Sequence, residues 1–209
     1  MTRAAIKALA SAKMDEVLAF DSTELVPHSL LDTIMNSECL TFLLECPTHL
    51  LPATPISTTG AQTDVDNGTG YVLCPSDFIK LHTFKMTEWS APVKKVITEE
   101  NPEYINQRFS CLSGGIDKPV LVLRVEPDEI SSTVDGRVLE YYSVVDSHSI
   151  EVALYVKETL PENLPDRLME AFTWYLASSA LAITGNDVSK AGAIVAEKKY
   201  KQIFQLNTW

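Results

Sequence analysis

Leu160–Leu206, "LPENLPDRLMEAFTWYLASSALAITGNDVSKAGAIVAEKKYKQIFQL", decides the fold. Leu168, Ala171, Phe172, Tyr175, Leu176 and Ser179 recur at intervals of three and four, the period of a helix with one buried side. Ala177, Ser178, Ser179, Ala180 and Ala182 lack bulk, so a second helix can approach closely. Thr184-Gly185-Asn186-Asp187 reads as a tight turn, with Gly185 suited to the left-handed position that ends a helix. A second helix then runs from about Asp187 to Gln205 and ends in aromatic and apolar residues. Nothing in this hairpin is placed for chemistry, which suggests an assembly part rather than an enzyme.

A matching helix pair is expected at the other end. Ile6, Leu9, Ala10, Lys13, Val17 and Leu18 stripe one side of residues 3–19. A second helix carries Leu30, Leu31, Ile34, Met35, Phe42 and Leu43 and stops at Pro47. Ser22 or Thr23 is its expected cap, with Pro27 near the first turn, where a missing N–H costs little. Cys39 and Cys46 lie seven apart and share a face, so they read as small core residues.

Between the pairs the pattern changes. Residues 47–70 are punctuated by Pro47, Pro52, Pro55, Gly60, Gly68 and Gly70, and read as an extended loop or arm. Residues 71–159 read as a β-rich insertion. Tyr71–Cys74, Ile79–Met86, Val93–Ile97, Pro119–Val125, Arg137–Val145 and Ile150–Val156 are its strand candidates. Pro75-Ser76-Asp77-Phe78 is a turn in which Asp77 can bond the backbone two residues on. Thr98 is the expected cap of a short helix over Asn101–Gln107. Pro119–Val125 is nearly continuous in apolar residues, so it is expected to be covered on both faces. The short connector Asp146–Ser149 predicts an antiparallel hairpin between the last two strands. The expected fold is therefore α+β: a four-helix bundle built from residues 1–46 and 160–209, carrying an antiparallel β lobe.

Composition narrows the function. The 209 residues are 45% hydrophobic and 22% charged, which suits a globular chain, and the formal charge of -11 argues against a general nucleic-acid binder. No stretch approaches the roughly 18 apolar residues of a membrane span. "MTRAAIKALASAKMDEVLAF" lacks a long apolar core, so no secretory signal is expected, and four cysteines without a Cys-x-x-Cys pair suit a reducing compartment.

Candidate chemistry is sparse. His28, His49, His82 and His148 stand near no recognised catalytic motif, and Ser113-Gly114-Gly115 is too short to cradle a nucleotide. His148 reads as a turn residue and His82 as half-buried structure. Cys46-x-x-His49 is half of a zinc spacing without a second half. Asp64-x-Asp66-x-Gly68 opens like a calcium loop, yet its twelfth place is Pro75 rather than Glu. Lys198-Lys199-Tyr200-Lys201 fans over several helix faces, so it meets the helix end or an acidic partner rather than nucleic acid. No catalytic, metal or cofactor residue is expected. Trp209, Phe204, Leu206 and Trp89 are the candidate anchors for a neighbouring subunit or partner, because aromatic side chains dominate interfaces. Trp174, one position round from the main stripe, is expected to face the β lobe.

The order helix pair, β lobe, helix pair resembles the head-to-tail adaptor proteins of tailed bacteriophages, including the tail tubular A type. "GYVLCPSDFIKLHTFKMTEW", Gly70–Trp89, is similar to that family's strand, turn and strand leading to a Trp, and residues 164–204 look like its closing hairpin. The long segment 47–70 departs from the pattern, and residues 97–118 have no clear counterpart. The resemblance implies a virion structural protein, not an enzyme, assembled in the bacterial host cytoplasm. Its partners would be copies of itself in a ring of about twelve, closed by heterologous interfaces. The portal and other tail proteins would flank that ring, and DNA would pass through an acidic lumen without adhering. Two other readings compete: a small-ligand enzyme or binding protein using the β lobe, and a host scaffold protein.

Overall fold

The computed structural model describes residues 1–18, 28–59, 61–107, 109, 115–125, 136–144, 149–184 and 187–206. The chain divides into two compact units, Met1–Pro52 with Glu158–Trp209, and Ala53–Lys157. The fold class is α+β, with a helical unit built from both ends of the chain and antiparallel sheets between them.

The helical unit holds α1 (Arg3–Leu18), α2 (His28–Glu45), α4 (Asp166–Thr184) and α5 (Asp187–Leu206). A short helix, α3 (Pro102–Asn106), belongs to the other unit. Helix α4 is central: Leu168, Met169, Ala171 to Ala177, Ala180 and Leu181 are all buried, by packing on α5, α1 and α2. Burial on nearly every side explains why its apolar residues overrun a single stripe. Helix α1 buries Ile6, Ala10 and Met14. The expected stripe is thus turned slightly, and Leu9 faces outward with 41% of its surface exposed. Helix α2 buries Leu31, Met35, Cys39, Phe42, Leu43 and, just beyond its end, Cys46. The expected capping residues Ser22, Thr23 and Pro27 lie outside the described residues, as does Gly185.

Small residues bring α4 and α5 together as their pattern requires. Ser178 Oγ donates to Ala193 O at 2.9 Å. A Cβ on Gly192 would stand 3.0 Å from Val17 Cγ1, so α1 closes on this hairpin as well. Phe42 fills the centre of an aromatic cluster, with its ring 5.3 Å from Phe172, 5.5 Å from Tyr175 and 5.6 Å from Phe204.

The second unit contains two antiparallel sheets. One has the order β1 (Thr54–Pro55), β7 (Ile150–Lys157), β4 (Phe78–Met86). The other runs β2 (Gln62–Asp64), β3 (Thr69–Leu73), β6 (Arg137–Tyr142), β5 (Leu121–Val125). One apolar cluster draws Leu81, Phe84, Ala153 and Tyr155 from the first sheet and Val72, Leu121, Leu139 and Tyr141 from the second.

Several sequence expectations are corrected here. Residues 47–59 and 61–70 carry short regular elements between stretches of loop. Leu50, Leu51 and Ile56 are buried, Thr54–Pro55 pair with β7, and Gln62–Asp64 pair with β3. These few apolar side chains and ladder bonds anchor a segment whose Pro and Gly content suggested otherwise. The last two strands form no hairpin: β6 pairs with β3 and β5, and β7 with β1 and β4. Ser143, at φ 66°, ends β6 in a left-handed conformation, and Val144 N turns to Gly68 O at 3.0 Å. Strand β5 is covered on both faces only at its start, where the neighbouring residues Leu121 and Val122 are both buried; its end opens to solvent, with Val125 74% exposed. Val93–Ile97 is no continuous strand; it makes isolated bridges, Phe84 with Val93 and Ile97 with Val122. Asn101, not Thr98, caps α3, accepting from Glu103 N at 2.9 Å. Asp77 reaches across to accept from Tyr155 Oη at 2.8 Å instead of bonding its own turn, where Phe78 N bonds Pro75 O.

Candidate functional site

Two of the expected docking anchors, Phe204 and Trp89, are buried. Phe204 is 8% exposed, held between Phe42 and Tyr200. Trp89 is 3% exposed and tilted against Phe84, and its buried Nε1 has no acceptor among the described residues. Leu206 ends the backbone of α5, and Trp209 lies outside the described residues. Two of the four anchors are therefore core residues of their own units. Large aromatic side chains gain as much by burial in their own chain as in a neighbour, and spacing alone does not separate the two.

Trp174 is a further buried aromatic. It is buried within the helical unit, with Lys13 Nζ 4.4 Å and Lys199 Nζ 5.8 Å from its ring centroid. The pair of ammonium groups explains the placement of an indole one position off the stripe: α1 and α5 each send a lysine over it. The rest of the basic cluster divides as its helical spacing requires, with Tyr200 buried and Lys198 and Lys201 exposed. Lys201 pairs with Glu197 one turn away. Tyr200 Oη donates to Glu45 Oε2 at 3.3 Å, joining α5 to α2. Burial and then the Glu45 charge push the phenols of Tyr175 and Tyr200 well above their ordinary value.

The candidate metal positions are structural. Cys39, Cys46 and Cys74 are free, buried thiols. Burial pushes Cys39 and Cys74 up to about 12, which keeps them protonated and unreactive. Cys46 is buried while His49 is exposed, so the half-zinc spacing brings no ligand pair to one pocket. Asp64 spends its carboxylate inside the β2–β3 turn, accepting from Asn67 N at 3.1 Å and from Asn67 Nδ2 at 2.6 Å. Those bonds hold its carboxyl below the usual range. Among the described residues no three His, Cys, Asp or Glu side chains gather as ligands would. His82 is half-buried beside Thr83 Oγ1, at a bulge between Leu81 and Thr83. His148, Cys111, Ser113 and Gly114 lie outside the described residues.

Two features of the surface were not anticipated. The first is a cleft of about 270 Å³ on the four-stranded sheet, lined by Gln62, Asp64, Tyr71, Glu140 and Arg124. Arg124 donates to Glu140 Oε2 at 2.9 Å and also pairs with Glu99. Its positive charge is thus compensated by two carboxylates, and Asp64, Tyr71, Thr63 and Thr69 complete a polar lining. The second is apolar exposure on the helical unit. Leu44 is 53%, Ile183 55%, Val188 57% and Ile194 54% exposed, and Leu40 and Val195 join them. Sequence period predicts which side of a helix is buried; it does not say that the opposite side is also apolar.

No family model matches the chain, and no curated protein shows significant similarity to it. Among the described residues, no helix is long and apolar enough to cross a membrane.

Proposed function

We propose that this chain is a structural subunit of a bacteriophage virion, a head–tail connector that joins the portal to the tail and continues the DNA channel. The observation that carries the reading is the apolar surface on α2, α4 and α5 of a helical unit whose interior is already filled by its own side chains. Apolar area of this kind gains about 25 cal/mol per Å² when a neighbour removes it from water. In a ring of about a dozen copies every subunit meets two neighbours, so such area is needed on two faces. The charge of -11 supports the same reading, because an acidic channel lets DNA slide. Copies of the chain, the portal and other tail proteins are the partners, and the virion neck is the location.

Full-length protein mixed with its portal, viewed by electron microscopy and weighed by mass photometry, tests this. Ring-shaped assemblies on the portal are expected. A chain that stays monomeric and never binds portal would refute it.

A second reading takes its support from the cleft at Arg124 and Glu140, which is large enough for a small polar ligand. A thermal-shift screen that finds large stabilisation lost on Arg124→Met would favour a binding protein instead.

A further inference from the structure

Two exposed apolar stripes on the helical unit carry opposite charge. On α5, Val188, Ala191 and Val195 recur at intervals of three and four, with Ile194 beside them. This helix holds four lysines, Lys190, Lys198, Lys199 and Lys201, against Asp187 and Glu197. It is a basic helix in a chain of formal charge -11. On α2, Leu40 and Leu44 stand one turn apart, facing solvent. That helix carries Asp32, Glu38 and Glu45 and no Lys or Arg. Lys7 of α1 compensates Asp32, so Glu38 and Glu45 supply the negative flank of the α2 face, and Lys198 and Lys199 the positive flank of the α5 face. Two α5 faces would repel each other, as would two α2 faces, whereas an α5 face and an α2 face attract.

We infer that the α5 face of one copy docks on the α2 face of the next, with Ile194 and Val195 set against Leu40 and Leu44. The pairing rests on the ring reading above and supplies its polarity. Because the two faces differ, the contact is heterologous: each copy keeps one face free after pairing, and addition continues until the ring closes. Lys198 on one side and Glu45 on the other set the register at the rim.

Complementary variants test it. Val195→Glu spoils the α5 face and leaves α2 intact; Leu44→Glu does the reverse. Both positions are about half exposed, so both variants are expected to fold, which circular dichroism checks. Sedimentation velocity over a concentration series, run with and without portal protein, reads association. Each variant alone is expected to associate at least about tenfold more weakly than wild type, because a carboxylate is forced into an apolar contact. An equimolar mixture forms one-to-one pairs and nothing larger, since only one good interface survives. Lys198→Glu, a gentler change at the rim, weakens association most at low salt.

Normal assembly by either variant alone overturns the pairing. So does a mixture that behaves no better than its components. Loss of portal binding by Val195→Glu with copy–copy association unchanged assigns the α5 face to the portal and also overturns it. Rings built equally well by wild type and both variants refute this pairing and leave the ring reading standing. A wild type that forms no oligomer, with or without portal, refutes both.

Discussion

Gly70→Ala tests how tightly the β unit is built. Gly70 lies on β3 opposite Tyr141 on β6. An added Cβ would stand 2.4 Å from Tyr141 Cε2, 2.5 Å from Cζ and 2.6 Å from the hydroxyl oxygen. Ordinary carbon contacts are about 3.5–4.0 Å, so the ring must retreat by roughly 1 Å. It has no free space to enter: Tyr141 is 1% exposed, and Phe84 stands 5.4 Å away between ring centroids. Retreat also pulls its hydroxyl from Gln62 O, at 3.2 Å. Overpacking costs about 1–3 kcal/mol and the hydrogen bond about 0.5–1.5, while alanine returns about 0.4–1 by restricting the unfolded chain, a net loss of about 2 kcal/mol. Urea unfolding measures it, and hydrogen exchange at β3 and β6 amides localises it. Gly70→Ala combined with Tyr141→Leu removes the clash, so the pair is expected to cost less than the sum of the single changes. A Gly70→Ala protein within about 0.5 kcal/mol of wild type, or strict additivity in the double variant, would refute the reasoning.

Phe42→Ala empties the centre of the aromatic cluster against Phe172, Tyr175 and Phe204, and is expected to cost about 3–5 kcal/mol in urea unfolding. Arg124→Met strands Glu140, whose side chain is 18% exposed, and is expected to lose about 1.5–3 kcal/mol in the same assay. Stability is also expected to fall above about pH 9. Cys39 and Cys74 are raised by burial, and Tyr155 is pushed up to about 12 by burial and then by Asp77. In the unfolded chain these groups ionise first, so the folded state binds more protons at high pH and loses ground as pH rises; below the unfolded values they contribute no slope. Urea midpoints between pH 7 and 11 check the sign. Cys39, Cys46 and Cys74 are expected to resist a thiol reagent at pH 8 until the chain unfolds, as mass spectrometry of the labelled protein would register.

The helical half was legible because helix burial is periodic along one segment. Leu168, Phe172 and Leu176 announce their buried side without reference to any other part of the chain. Strand pairing has no such local signal. The connector after β6 is short enough for a hairpin, but Ser143 adopts φ 66° and turns the chain toward Gly68, a residue more than seventy positions earlier. Nothing in a serine's identity requires that conformation. The same limit explains residues 47–70. Ile56 is buried because β7 supplies Ala153 O for its N–H, at 2.8 Å, and β7 lies nearly a hundred residues away. The burial of two candidate anchors was illegible for a related reason: Trp89 and Phe204 stand out by residue type, whereas their burial depended on whether Phe84 and Phe42 stood beside them.

The arrangement of the helical unit connects its interior to its surface. Helix α4 is enclosed by three others, so α1, α2 and α5 need bury only one side each. Polar residues would satisfy water on the remaining sides, and on much of α1 and α2 they do: Lys7 pairs with Asp32, and Arg3 donates to Asn36 at 2.8 Å. Farther along α2 that arrangement gives way to Leu40 and Leu44, and on α5 to Val188, Ile194 and Val195. The change occurs within single helices, so helix propensity does not explain it: glutamate or lysine would serve a helix as well there. A contact that removes these side chains from water accounts for both stripes, and their opposite charge flanks make the contact directional.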